Sequence, residues 1–213
     1  MAAMRARLLQ LALPLVKEHG FTRETLARSV LALPEPRAEP LTDSAVSALF
    51  GEGDNARRTL IQAWLEEGRV RMRTPVPSAK DALRGRLRYN EPALAHLPEA
   101  FALLASPKYG IPPLDVRPAF WHAAGVADEA CYAAKEPTIG APQLSWYSRR
   151  ASLAAVYTAA ELHQLTSPET ADAFLDSLLD SAAKVKQAVD ETQLFSSYVI
   201  KSWAGIIKSS GVF

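Results

Sequence analysis

The stretch QLSWYSRRASLAAVYTAAELHQL, residues 143–165, decides how this chain is read. It sets a Trp-Tyr pair and two arginines at the head of a long run of small and apolar residues. Leu153, Val156 and Tyr157 recur at three- and four-residue spacing, which puts them on the apolar side of one helix. The same spacing recurs along almost all of the 213 residues, while alternating β-branched runs are missing. The expectation is therefore an all-α fold.

Working outward, a first helix is expected from about Ala3 to Glu18, ended by Gly20. Thr22 then caps RETLARSVLAL, which must stop before Pro34 and Pro36, and Thr42 opens the short DSAVSALF. A longer amphipathic helix follows GEGDN, with Leu60, Ile61, Trp64 and Leu65 on its apolar side. Ser78 begins the next helix, to about Asn90, followed by PALAHLPEAFALLASP and a proline-shaped connector into AFWHAAGVADEACYAAK. Residues 135–145 read as a loop, and Ser167 and Pro168 open a helix after the quoted one. A last helix is expected over about Thr192 to Lys208.

Composition narrows the function classes. The formal net charge of +1 gives no global attraction to polyanions, and no apolar run approaches the roughly 20 residues that cross a bilayer. The single cysteine, Cys131, cannot pair internally, which suits a reducing compartment, and its neighbours offer no base to activate it. The four histidines are scattered: Glu161 and His163 lie two apart and point to different helix faces, so no metal site is expected. Phosphate-loop, dinucleotide and nucleophile-elbow motifs are absent, and nothing positive supports catalysis. Residues 69–88 hold Arg69, Arg71, Arg73, Lys80, Arg84, Arg86 and Arg88 with only Asp81 among them, and read first as a solvated face and second as a contact for anionic lipid.

On a helical wheel, Leu194, Phe195, Tyr198, Val199, Ile200, Trp203, Ile206 and Ile207 form one wide apolar arc opposite Ser197, Lys201 and Lys208. An interfacial membrane helix fits this pattern, and so does a helix buried in a core or dimer interface. The order of three short helices, a long fourth and a larger helical body is that of TetR-type proteins, which pair a helix-turn-helix head with a ligand-holding bundle. A DNA reader would need Arg, Lys, Asn or Gln on its recognition helix, and TDSAVSALF has none. The head is degenerate in that respect, and no nucleic-acid partner is expected. A ligand-responsive transcriptional regulator of TetR type stays as the alternative. The expected division is 1–72 for the head, 73–190 for a lipid-binding body and 191–213 for the amphipathic helix.

SWYSRRASLAAVYTAAELHQL followed by TSPETADAFLDSLL resembles the mitochondrial ubiquinone-biosynthesis lipid-binding accessory family, whose fold is TetR-like. Trp146, Tyr147, Arg149, Arg150, Ala151, Tyr157, Glu161 and Leu162 fall on the family pattern. The likeness runs back through FALLASPKYGIPPLDVRPAFWHAAG and, more weakly, ALPLVKEHGFTRETLARS; the loop before Trp146 is longer and less acidic than the family's. The resemblance implies a non-catalytic protein without a cofactor. It would bind an isoprenoid quinone intermediate or phospholipid, rest on the inner mitochondrial membrane from the matrix side, and assist the pathway's di-iron hydroxylase and its biosynthetic complex. It further implies a homodimer. The expected lipid pocket is Phe120, Trp121, Leu153, Val156, Tyr157, Phe174 and Leu178; the expected partner surface is Trp146, Tyr147, Arg149 and Arg150. Membrane contact is expected at Leu194, Phe195, Tyr198, Val199, Lys201, Trp203, Ile206, Ile207 and Lys208.

Overall fold

A computed structural model describes residues 2–35, 38–107, 114–135 and 143–185, with side chains described over 146–184 of the final segment. The expected helix over 192–208 and its membrane-contact residues lie outside the described residues. Among the described residues the regular structure is helical: α1 (Ala2–Ala12), α2 (Val16–His19), α3 (Arg23–Arg28), α4 (Asp43–Phe50), α5 (Asp54–Arg71), α6 (Ala79–Asn90), α7 (Leu97–Ala105), α8 (Arg117–Ala133), α9 (Gln143–Thr166) and α10 (Ala171–Val185). The all-α expectation is met.

The start signals act as their chemistry requires. Thr22, Thr42 and Ser78 each leave the helical conformation, and each accepts a hydrogen bond from the backbone N–H three residues on. Gly20 ends α2 at φ 64°, and its bare Cα lies against the His96 ring, where a Cβ would come within 2.9 Å of Nδ1. The first helix departs from the expected continuous run. Pro14 has no N–H to donate and its ring crowds the preceding turn, so the chain tightens into a 3-10 turn at Leu13–Leu15 before helix resumes as α2.

Two apolar cores form. The first gathers Leu8, Val16, Phe21, Leu26, Val46, Leu60, Ile61 and Trp64 with Leu97 and Phe101, so packing runs continuously past residue 72. The second joins α6, α8, α9 and α10 through Leu83, Leu87, Val126, Leu153, Val156, Tyr157 and Leu175. α9 serves both: Leu162 belongs to the first core and Tyr157 to the second. Trp64 is held between Phe21, edge-on at 5.9 Å, and Tyr89 at 4.6 Å.

The basic run does not form a bare patch. Lys80 and Arg84 pair with Asp176 of α10, Arg88 with Asp172, Arg71 with Glu67 and Arg73 with Glu129. Hydrogen bonding from Lys80 holds the Asp176 carboxyl below its ordinary range. Arg86, read as part of a solvated face, is 1% exposed. The carboxylates that receive the others stand mostly on α8 and α10, remote in sequence.

Gly68 of α5 makes room for Arg86. A Cβ there would lie 2.9 Å from the guanidinium carbon and 3.0 Å from the Tyr89 ring. Alanine at an ordinary helix interior gains about 1 kcal/mol over glycine. Here overpacking, typically about 1–3 kcal/mol, should reverse the sign. Gly68→Ala is expected to lose about 1–2 kcal/mol in urea denaturation; a gain in stability would show that Arg86 moves aside freely.

Candidate functional site

Between the two cores lies a buried polar cluster built by α6, α8 and α9. Four-residue spacing sets Tyr157 and Glu161 on one face of α9, and the same spacing sets Arg86 and Asn90 on one face of α6. Asn90 Nδ2 donates to Glu161 Oε1 at 2.9 Å, and the Tyr157 hydroxyl donates to the same oxygen at 2.5 Å. Arg86 Nη1 donates to Asn90 Oδ1 at 2.5 Å, and its Nη2 stands 4.0 Å from Glu161. From α8, His122 Nε2 lies 3.4 Å from Glu161, with its ring edge-on to Tyr157. Gln164, one turn on, donates to the Leu87 carbonyl at 2.8 Å.

Burial alone would raise the Glu161 carboxyl. The His122 and Arg86 charges and the Tyr157 hydrogen bond outweigh it and bring the group down to about 2. Tyr157 moves the other way, pushed well above its ordinary value chiefly by burial. A carboxylate, an imidazole and a phenol in contact are general acid–base groups by type. The adjoining cavity, bordered by Leu65, Phe101, Ala119, His122 and Glu161, measures about 10 Å³. That volume admits about one water and no organic substrate. In this arrangement the cluster fastens helices together rather than performing chemistry on a guest.

The expected pocket residues do not converge. Leu153, Val156 and Tyr157 are buried against one another in the second core, with Phe174 and Leu178 packed at its edge. Phe174 also stacks on His163 at 4.2 Å. Phe120 and Trp121, however, are 66% and 68% exposed at the start of α8, edge to face at 5.8 Å. Neither the cavity beside Glu161 nor the one at the end of α8, lined by Arg73, Lys135 and Arg150, includes any of the seven.

The expected partner surface is assembled as a unit. Arg150 stacks on Trp146 at 3.7 Å and is tied to α8 by its Nε donating to Asp128 at 2.7 Å. Tyr147 meets Trp146 edge-on at 4.6 Å and is 65% exposed, and Arg149 is exposed as well. One aromatic and one arginine thus form a braced base, and the other two project. The sequence sets Tyr157 inward but joins it to none of its cluster partners, and Arg86 reads there as part of a solvated face. The usable signal was the matched four-residue spacing of Arg86–Asn90 and Tyr157–Glu161.

These features define a helical-bundle protein with a closed polar centre and a surface rich in aromatics and arginine. Residues 116–186, which hold the exposed aromatics and most of the cluster, match the COQ9 family model. The chain is 27% identical over 207 residues to the mitochondrial ubiquinone biosynthesis protein COQ9 of Drosophila melanogaster, covering 90% of this chain and 59% of that protein. The Bos taurus protein of the same name is 26% identical over 95% of this chain and 64% of its own length. The Homo sapiens one is 25% identical over the same shares, 95% and 64%. The chain therefore spans about three-fifths of the curated relatives it matches. It is similar to the COQ9 proteins, and the ubiquinone-biosynthesis family likened to it on the quoted residues is the one these matches return.

Glu161 titrates lower in the folded chain, near 2, than its ordinary 4.5. The stability it contributes is therefore present above about pH 5 and lost as pH falls through the folded value. Removing one partner of a buried charged set typically costs about 3–5 kcal/mol. Glu161→Gln is expected to lose about that much near neutrality and to show a flatter loss between about pH 5 and about pH 3 in urea titrations. An unchanged acid slope would mean that another carboxylate governs acid unfolding.

Proposed function

We propose that this chain is a non-catalytic, lipid-binding accessory of ubiquinone biosynthesis. It holds an isoprenoid quinone intermediate at a membrane and offers it to the pathway's di-iron hydroxylase. The observation that carries this reading is the match of residues 116–186 to the COQ9 family, whose curated relatives are named for ubiquinone biosynthesis and as mitochondrial. The location proposed for this chain is accordingly the mitochondrial matrix face of the inner membrane. No described helix is long and apolar enough to cross a membrane, which agrees with peripheral attachment.

Leu153, Val156 and Tyr157 are buried in the packing of the second core. Phe120 and Trp121, flanked by Val116, which is also exposed, offer the apolar surface instead. Covering two large exposed rings removes their area from water at about 25 cal/mol per Å², a gain available to a lipid tail lying on them. Trp146, Tyr147, Arg149 and Arg150 then serve as the hydroxylase contact, since aromatic and arginine side chains anchor interfaces out of proportion to their number. The reading includes a homodimer and bound isoprenoid or phospholipid, with no cofactor of its own.

Mass spectrometry of lipid retained through purification tests the reading. Isoprenoid quinone precursors are expected with the natural chain, and Phe120→Ser with Trp121→Ser should retain several times less while unfolding at the same temperature, because both side chains are exposed. Recovery of no isoprenoid, or turnover of a quinone precursor by the purified chain alone, would contradict it.

A further inference from the structure

A second cavity of about 420 Å³ opens where the end of α8 faces α9 and the turn after α5. Its volume is within the range of small-molecule sites, roughly 300–1,000 Å³. Three cations line it, Arg73, Lys135 and Arg150, with Asp128 and the Tyr132 ring. Glu129 holds Arg73 from outside the cavity through contacts of 3.0 and 3.1 Å, and Asp128 holds Arg150 at 2.7 Å. The two guanidinium groups are oriented by these contacts but not used up. Among the described residues Arg73 Nη1 and both terminal nitrogens of Arg150 have no hydrogen-bond partner, while the Arg150 guanidinium face rests on Trp146. Counting both carboxylates, one positive charge remains in excess, and it is carried by Lys135, whose ammonium has no ion pair among the described residues.

Lys135 is also the one described residue other than glycine with positive φ, at 49°, and its N–H closes α8 by donating to the Tyr132 carbonyl at 3.0 Å. Glycine is the usual occupant of this left-handed position after a helix, because a Cβ is strained there. An unpaired cation is thus held on a strained backbone, at the rim of a cavity that two oriented arginines already line. Strain retained in this way is found where a side chain has a task that its conformation serves.

We propose that this cavity binds a phosphate group, with Lys135 and the free N–H donors of Arg73 and Arg150 as its ligands. Guanidinium forks match phosphate oxygens in geometry, and charge-assisted hydrogen bonds are the strong ones. Tyr132, largely exposed at the edge, can cover the group to which the phosphate is attached. The phosphate belongs either to a free phosphate ester or to a lipid headgroup. The site shares Arg150 with the proposed hydroxylase contact and no residue with the Phe120–Trp121 surface, so it does not depend on the isoprenoid reading.

The test compares the full natural chain with Lys135→Gly and Arg73→Gln, using glycerol phosphate in calorimetric titration and flotation with phosphatidylcholine vesicles with or without phosphatidic acid. Lys135→Gly discriminates well, because glycine relieves the backbone strain while deleting the charge. Its thermal midpoint should be equal or higher, while affinity for at least one probe falls about tenfold or more, the loss expected for one charged hydrogen bond. Arg73→Gln should weaken the same probe. A response to glycerol phosphate identifies a soluble ester; one confined to phosphatidic acid vesicles identifies a headgroup; each supports the site. The proposal is overturned if the natural chain binds neither probe, or if Lys135→Gly binds both as well as the natural chain does. In that event the lysine only complements the negative end of the α8 dipole.

Discussion

One buried carboxylate holds the middle of this protein together. Glu161 takes hydrogen bonds from Asn90 of α6 and Tyr157 of its own helix and stands beside His122 of α8 and Arg86 of α6. A lone carboxylate out of water costs several kcal/mol, so the position is tenable only while all these partners remain in place. That demand makes the three helices interdependent. It also explains Gly68, which gives up side-chain volume so that the Arg86 guanidinium can reach the centre. The apolar cores on either side supply most of the driving force, and the polar centre sets the registration between them.

With the centre closed in this way, the helix faces that remain available are peripheral. Phe120 and Trp121 begin the helix that carries His122, so the residue that locks α8 inward lies beside the two that project outward. The same holds one helix on, where Arg150 and Trp146 brace each other against α8 while Tyr147 projects. The proposed lipid and partner contacts rest on these exposed side chains of α8 and α9. Similarity to the COQ9 proteins gives that geometry its proposed setting, in a chain that spans about three-fifths of their length.

Local physics was legible in the sequence wherever it is decided within a few residues. Thr22, Thr42 and Ser78 cap their helices because a short polar side chain just before an apolar period has one good use. Pro14 also carried a signal, and the apolar spacing around it hid the break it makes. Long-range pairing was not legible. Arg86 sits in a run of basic residues, and only the fold reveals that Asn90 and Glu161 receive it while Asp172 and Asp176 receive its neighbours. Phe120 and Trp121 are expected inward because they fall on the apolar side of a helix that a TetR-like body packs against its neighbours. That inference is weak, since much of any folded surface is apolar. The family likeness succeeded for a different reason, resting on residues 100–180, which largely coincide with the matched segment 116–186.

On the proposed function, the polar centre stays shut and a hydrophobic guest is held on the outside of α8. Photolabelling with a diazirine-bearing polyprenyl quinone analogue, followed by peptide mass spectrometry, measures this directly. The account predicts adducts on the peptide containing Phe120 and Trp121 and none on Leu153, Val156 or Tyr157. Adducts concentrated on those three interior residues would contradict it, because the lipid would then enter the core that Glu161 is argued to keep closed.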